Sequence, residues 1–180
     1  MQNLDSIEEV ASLDYLAVQA ISVLDKQDEA SIQAYKKSVR RLQMMGVKVV
    51  LAAGIQEKEA RRIALETGIL KKEHERVCGA VISGSDLRKI CTGRETSLGF
   101  DITPEYLSVV YKASPEERCM LVEYLSKLHP GRVGANTPMG FGSEDFKTGT
   151  PIATVGAIGS GENDIKMLKR AGISFCTAEK

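Results

Sequence analysis

The chain has 180 residues, 24 Lys+Arg against 24 Asp+Glu, 43% hydrophobic residues, 5% aromatic residues and no Trp. That length suits a single domain able to bury its own core, and the apolar share excludes a disordered chain. Formal neutrality argues against a nucleic-acid protein, which needs a surplus of cations to displace counterions from phosphates. No stretch approaches the ~20 consecutive apolar residues of a membrane span. Met1-Gln2-Asn3-Leu4-Asp5 has neither the basic start nor the apolar run of a secretory leader, so a cytoplasmic location is expected.

In chain order, Tyr15 to Leu24 (YLAVQAISVL) is an apolar run of strand type between Asp14 and Asp25. Ile32, Tyr35, Val39, Leu42 and Met45 then recur at steps of three and four, drawing one apolar stripe on a helix that stops at Gly46. Val47 to Ala53 reads as a buried strand, being short, β-rich and followed by Gly54. Ala60, Ile63 and Ala64 form a second helical face, which ends at Thr67-Gly68. Strand-helix-strand-helix alternation of this kind predicts a parallel sheet with right-handed crossovers.

Lys71 to Ile82 is charged and then apolar, and Ser83-Gly84-Ser85-Asp86-Leu87 begins a short helix. Tyr106 to Tyr111 predicts another strand. The clearest helix start follows: Ser114 as N-cap, Pro115 in the first helical position and Glu117 closing a capping box. Leu121, Val122, Leu125 and Leu128 supply that helix's buried face. From His129 to Thr150 the chain turns rich in glycine and proline and reads as an irregular insert. Ile152 to Ile158 predicts a last buried strand, and the loop Gly159-Ser160-Gly161 leads to a helix faced by Ile165, Leu168 and Ala171.

Cys78, Cys91, Cys119 and Cys176 form no C-x-x-C pair, and with only His74 and His129 no zinc spacing exists. Reduced, partly buried thiols are expected. The glycine loop at 159–161 follows a strand and precedes a helix, where backbone N–H groups can hold an anion. It matches neither the P-loop nor the dinucleotide-binding fingerprint.

Four segments taken together are more specific. Gly46-Val47-Lys48-Val49-Val50-Leu51-Ala52-Ala53-Gly54-Ile55, continued by Ala60 to Leu70, resembles the G-V-K-V-x-M-V-T-G-D…A-I-A-x-E-x-G-I-L stretch of P-type ATPases. Val81 to Arg88 resembles their V-x-x-G-x-x-(F/L)-R, and Val109 to Arg118 their V-x-A-R-x-S-P-x-x-K. Gly159-Ser160-Gly161-Glu162-Asn163-Asp164, with Leu168, Ala171 and Gly172, resembles G-D-G-x-N-D-x-x-x-L-x-x-A-x-x-G. The order is that of the family's phosphorylation domain, in its calcium-transporting type. The resemblance implies an α/β, three-layer, haloacid-dehalogenase-like (Rossmannoid) parallel sheet with helices on both faces, as one truncated domain over 1–180 carrying the 129–150 insert.

In that family an aspartate at the start of D-K-T-G-T is the phosphorylated nucleophile. The Thr of T-G-D binds phosphoryl oxygens, the Lys after S-P neutralises their charge, and the first Asp of G-D-G ligates Mg²⁺. Here T-G-D stands as Ala53-Gly54-Ile55, the Lys as Arg118 and the Mg²⁺ ligand as Ser160, while Asn163, Asp164 and a basic Lys112 remain. The chain is expected to begin too late to include the nucleophile segment. Asp145-Phe146-Lys147-Thr148-Gly149-Thr150 imitates D-K-T-G-T, but Phe146 breaks its register and the strand that should precede it is missing.

These losses together imply a catalytically inactive remnant with no catalytic residue, no metal and no cofactor, retained to bind protein or to regulate. The alternatives are a residual Mg²⁺-dependent phosphatase or phosphate binder using Lys112, Arg118, Asn163 and Asp164, and a fragment of an active calcium pump. In the inactive reading those four residues form a solvated rim around an empty pocket. The absent nucleophile strand would leave a gap at the sheet's centre. Closure is expected by the YLAVQAISVL strand, by the Val133 segment, or by a second chain in a homodimer; a full-length pump is the other partner considered.

Overall fold

A computed structural model describes residues 13–18, 29–93, 104–127, 153–159 and 161–176. The expectations for residues 19–24, Leu128, the 129–150 insert with its Asp145 motif, and Ser160 lie outside the described residues. The elements in chain order are β1 (Tyr15–Val18), α1 (Glu29–Met44), β2 (Lys48–Ala52), α2 (Glu57–Thr67), β3 (Val81–Ser83) and α3 (Gly84–Cys91). They continue with β4 (Val109–Tyr111), α4 (Pro115–Ser126), β5 (Val155–Gly159), α5 (Ile165–Arg170) and β6 (Ile173–Cys176).

The six strands form one sheet in the order β3-β4-β2-β1-β5-β6, and every pairing is parallel. The fold is therefore α/β with a Rossmann-like three-layer arrangement. Alternation along the strands sends side chains to opposite faces. Leu16, Val18, Val49 and Leu51 join Val39 of α1 and Ala60, Ile63 and Ala64 of α2 in one cluster. Tyr15, Ala17, Val50 and Ala52 pack with Leu87 of α3, Leu121, Val122 and Leu125 of α4, and Met167 of α5 in the other. Burying each Val or Leu of this kind contributes about 1.5–3 kcal/mol. Strands apolar on both faces are the consequence of having helices on both.

The slot between β2 and β5 is where the resemblance puts the nucleophile strand. β1 fills it, with Val18 opposite Leu51 on one side and Ile158 on the other. Of the closures expected from the sequence, it is the YLAV segment that completes the sheet. A second chain is then not needed at the centre, and the only free edges of the described sheet are β3 and β6.

Local signals explain the element ends. Gly46 takes a left-handed φ of 85°, its N–H donates to the Gln43 carbonyl at 3.1 Å, and the Val47 N–H donates to the Leu42 carbonyl at 3.0 Å. This closes α1 and turns the chain into β2. Gly68 ends α2 in the same backbone region, at φ 78°. At α4 both halves of the capping box form: the Glu117 N–H donates to Ser114 Oγ at 3.3 Å, and the Ser114 N–H to Glu117 Oε2 at 2.9 Å.

Three expectations need correction. Met45 does not share the inward stripe of α1; it lies beyond the last helical turn and is exposed. Ile165 is also exposed, and Met167 is the fully buried residue of α5. The tighter turn at Glu162–Asp164 rotates the start of α5 relative to a continuous α-helix, so the inward positions shift. Cys78, Cys91 and Cys176 are exposed and Cys119 half-buried, all four free, so burial of the thiols is smaller than expected.

Candidate functional site

Parallel sheets place their loops and helix N-termini at the carboxyl ends of the strands, and ligands of open α/β folds bind where neighbouring connections leave for opposite faces. Here β1 and β2 feed α1 and α2 on one face, while β4 and β5 feed α4 and α5 on the other. Two such points result, β2 against β4 and β1 against β5. All the sequence-derived site residues that the structure describes fall at one or the other.

At the first point the ladder runs on past the strands. The Ala53 N–H donates to the Val110 carbonyl at 3.0 Å, the Ala113 N–H to the Ala53 carbonyl at 2.9 Å, and the Lys112 N–H to the Ile55 carbonyl at 2.9 Å. The Ala53-Gly54-Ile55 turn is thus zipped to the Lys112-Ala113-Ser114 turn. Ala53 is fully buried and Ile55 half-buried on the α2 side of the sheet. A Cβ on Gly54 would lie 3.7 Å from the Ala113 carbonyl oxygen, an ordinary contact, so space does not require glycine there. Lys112 adopts φ 48°, unusual for a side chain larger than glycine, and is exposed.

At the second point β5 ends on Gly159, where a Cβ would stand 2.5 Å from Asp164 Cβ. Only glycine admits so close an approach. Asp164 is 1% exposed, and its Oδ2 accepts the Gly161 N–H at 3.3 Å, folding the loop over its own carboxylate. Its Oδ1 accepts from the guanidinium of Arg118, itself buried on α4. The pair spans 46 positions of sequence and ties α4 to the start of α5. Asn163 is exposed beside it.

The solvated rim therefore does not exist as expected. Lys112 and Asn163 are exposed, but Arg118 and Asp164 are buried and spend their charges on each other. The uncharged Ala53-Gly54-Ile55 turn, the exposed Lys112 and one internal ion pair stand where the resemblance puts a phosphoryl site. Among the described residues no three His, Cys, Asp or Glu side chains gather so as to hold a metal ion.

Sequence reasoning assigned Glu117 a capping role only. The structure also pairs its Oε1 with Arg88 of α3 at 3.1 Å and packs its carboxylate against Gly84, where a Cβ would meet Oε2 at 2.2 Å and the Lys112 carbonyl at 2.9 Å. At the opposite ends of the strands, Lys48 Nζ donates to the buried Ser108 Oγ at 3.4 Å. Burial, with Lys71 nearby, lowers the Lys48 pKa to about 8. Burial first, then Asp14 and Glu105, push the Tyr15 phenol up. A lysine inside an otherwise apolar strand sequence, Val47-Lys48-Val49-Val50, was the available signal.

No family model matches the chain, and no curated protein matches it either.

Proposed function

We propose that the chain is a catalytically inactive, phosphorylation-domain-like module of the cytoplasm that binds protein or regulates. The observation that carries this reading is the buried Arg118–Asp164 pair. A carboxylate that is to hold Mg²⁺ must offer its oxygens to the cation. Asp164 gives one oxygen to an internal guanidinium and the other to the Gly161 N–H. Arg118 is likewise withdrawn from any phosphoryl group.

Two further observations agree. The turn after β2 carries Ala53 and Ile55, whose side chains have no group that can bond a phosphoryl oxygen. The four residues after β1 in sequence, Gln19-Ala20-Ile21-Ser22, hold no carboxylate that could act as nucleophile, and the first to follow is Asp25. Each missing group of this kind typically removes a few kcal/mol of transition-state stabilisation, and groups that act as a unit fail together. Meanwhile caps, glycine turns and both core clusters are intact, which supports a role for the folded surface.

The competing reading, a residual phosphatase or phosphate binder, requires Arg118 and Asp164 to part. The test is incubation with labelled acetyl phosphate and Mg²⁺, followed by acid quench. The expected result is no labelled protein, for the native chain and for Ala53→Thr alike. An acid-stable, Mg²⁺-dependent label on the native chain overturns the proposal.

A further inference from the structure

The charges of the whole chain cancel, but they are unevenly spread. Between Ala30 and Gln56 stand Lys36, Lys37, Arg40, Arg41 and Lys48, without one Asp or Glu. The first four are exposed on α1. Helical steps of four align Lys36, Arg40 and Met44 in one row and Lys37 and Arg41 in the next, leading to Met45 just past the helix end. Tyr35, Val39 and Leu42 pack on the opposite side, against the core.

Among the described residues none of these four cations pairs with a carboxylate. On α2, by contrast, Arg61 and Arg62 pair with Glu57 and Glu66. The basic rows end in apolar side chains, Met44 at 80% exposure and Met45 at 44%. The backbone that carries these methionines is fixed, because the N–H groups of Met45, Gly46 and Val47 all donate to carbonyls of the last turn of α1. Gln43 Nε2 donates to the Gly68 carbonyl at 3.1 Å, joining this end of α1 to the end of α2, where the exposed Lys71 and Lys72 follow.

A basic face neutralised from within would be a solvated surface; this one meets no carboxylate among the described residues and adds two exposed thioethers. An acidic protein segment without apolar side chains would satisfy the cations and leave the methionines in water. An anionic bilayer satisfies both, with headgroups for the cations and the acyl boundary for the apolar tips. We propose that the outer face of α1 docks on an anionic phospholipid surface, with Lys36, Lys37, Arg40 and Arg41 over the headgroups and Met44 and Met45 entering the interface. None of the strand-end residues takes part.

The test is sedimentation of the full chain with vesicles of phosphatidylcholine alone and of phosphatidylcholine with about one-third phosphatidylserine. Binding is expected only to the anionic vesicles, and to disappear at about 0.5 M salt. Each neutralised cation should lower partitioning about fivefold, so K37Q/R41Q loses about 25-fold. Met44→Ser should lose about threefold or more. Lys127→Gln, beyond α4 on the other side of the sheet, should bind as the native chain does. All variants alter exposed side chains, and a native thermal melt verifies folding. Equal binding to both vesicles, no binding to either, or unchanged binding of folded K37Q/R41Q overturns the proposal. Retention on poly-glutamate without vesicle binding overturns it in favour of an acidic protein partner.

Discussion

Two regions of the molecule treat charge in opposite ways. At the carboxyl ends of the strands, Arg118, Asp164 and Glu117 are buried, and each has a partner supplied by another helix or turn. On the outer face of α1, four cations stand in solvent with no carboxylate beside them among the described residues. Charge that is buried and internally matched holds elements together and is unavailable to a ligand. Charge that is exposed and unmatched contributes little to stability and remains available. The expected chemistry sits at the closed region, and the open region lies where no motif pointed.

Substitutions test how deep this contrast runs. The largest effect should come from Asp164→Ala, which leaves the Arg118 guanidinium buried without its carboxylate. Loss of one partner of a buried pair costs about 3–5 kcal/mol, and urea unfolding should show it. Replacing both partners, Arg118→Met with Asp164→Leu, should restore much of that loss; a double variant as unstable as the single one would mean the pair does more than match charge.

Gly84→Ala comes next. Its Cβ would press on the Glu117 carboxylate and on the Lys112 backbone carbonyl, the latter unable to swing aside. A loss of about 1–3 kcal/mol is expected by the same measurement.

Lys48→Met should act in the other direction. The folded-state pKa of Lys48, about 8, lies below its ordinary value of 10.5. Below pH 8 both folded and unfolded chains carry the proton, so the folded state bears the penalty of a half-buried charge. Between pH 8 and 10.5 the folded state releases that proton first, and the native chain should gain stability across this window. The variant should be more stable at pH 7, by about 1 kcal/mol or more, and should lack that rise. Melting curves from pH 7 to 10.5 check both points.

Ser114→Ala removes the cap hydroxyl of α4 and should cost about 1 kcal/mol. At the small end, Lys36→Gln and Arg40→Gln on the open face should each change stability by less than about 0.5 kcal/mol. A larger loss would show that these cations have structural partners after all.

Much of the architecture was legible because it rests on local rules. Gly46 and Gly68 mark helix ends wherever the chain must turn left-handed, and Ser114-Pro115 with Glu117 starts a helix in any context. The alternation of apolar strands with amphipathic helices is enough to predict a parallel sheet. Legibility failed where several residues acted through a neighbour. Ile165 and Met45 carry apolar side chains at helical spacing, yet the turn at Glu162–Asp164 and the Gly46 stop put them in water. β6 was missed because Ile173-Ser174-Phe175-Cys176 follows α5 after only Ala171-Gly172 and has polar Ser174 among its apolar residues.

The site residues divide in the same way. Residue order along the chain sets which types stand at the strand ends: an alanine, a glycine and an isoleucine after β2, a lysine after β4, a glycine and then Asn163-Asp164 after β5. What those residues touch follows from contacts between distant segments. Strand order brought β1 into the central slot, and packing of α4 beside α5 brought Arg118 onto Asp164 across 46 positions. Residue identity sets the charge a group can carry. Which charge it meets, and whether water reaches it, depends on contacts between segments far apart in the chain, and those exist only once the sheet has formed.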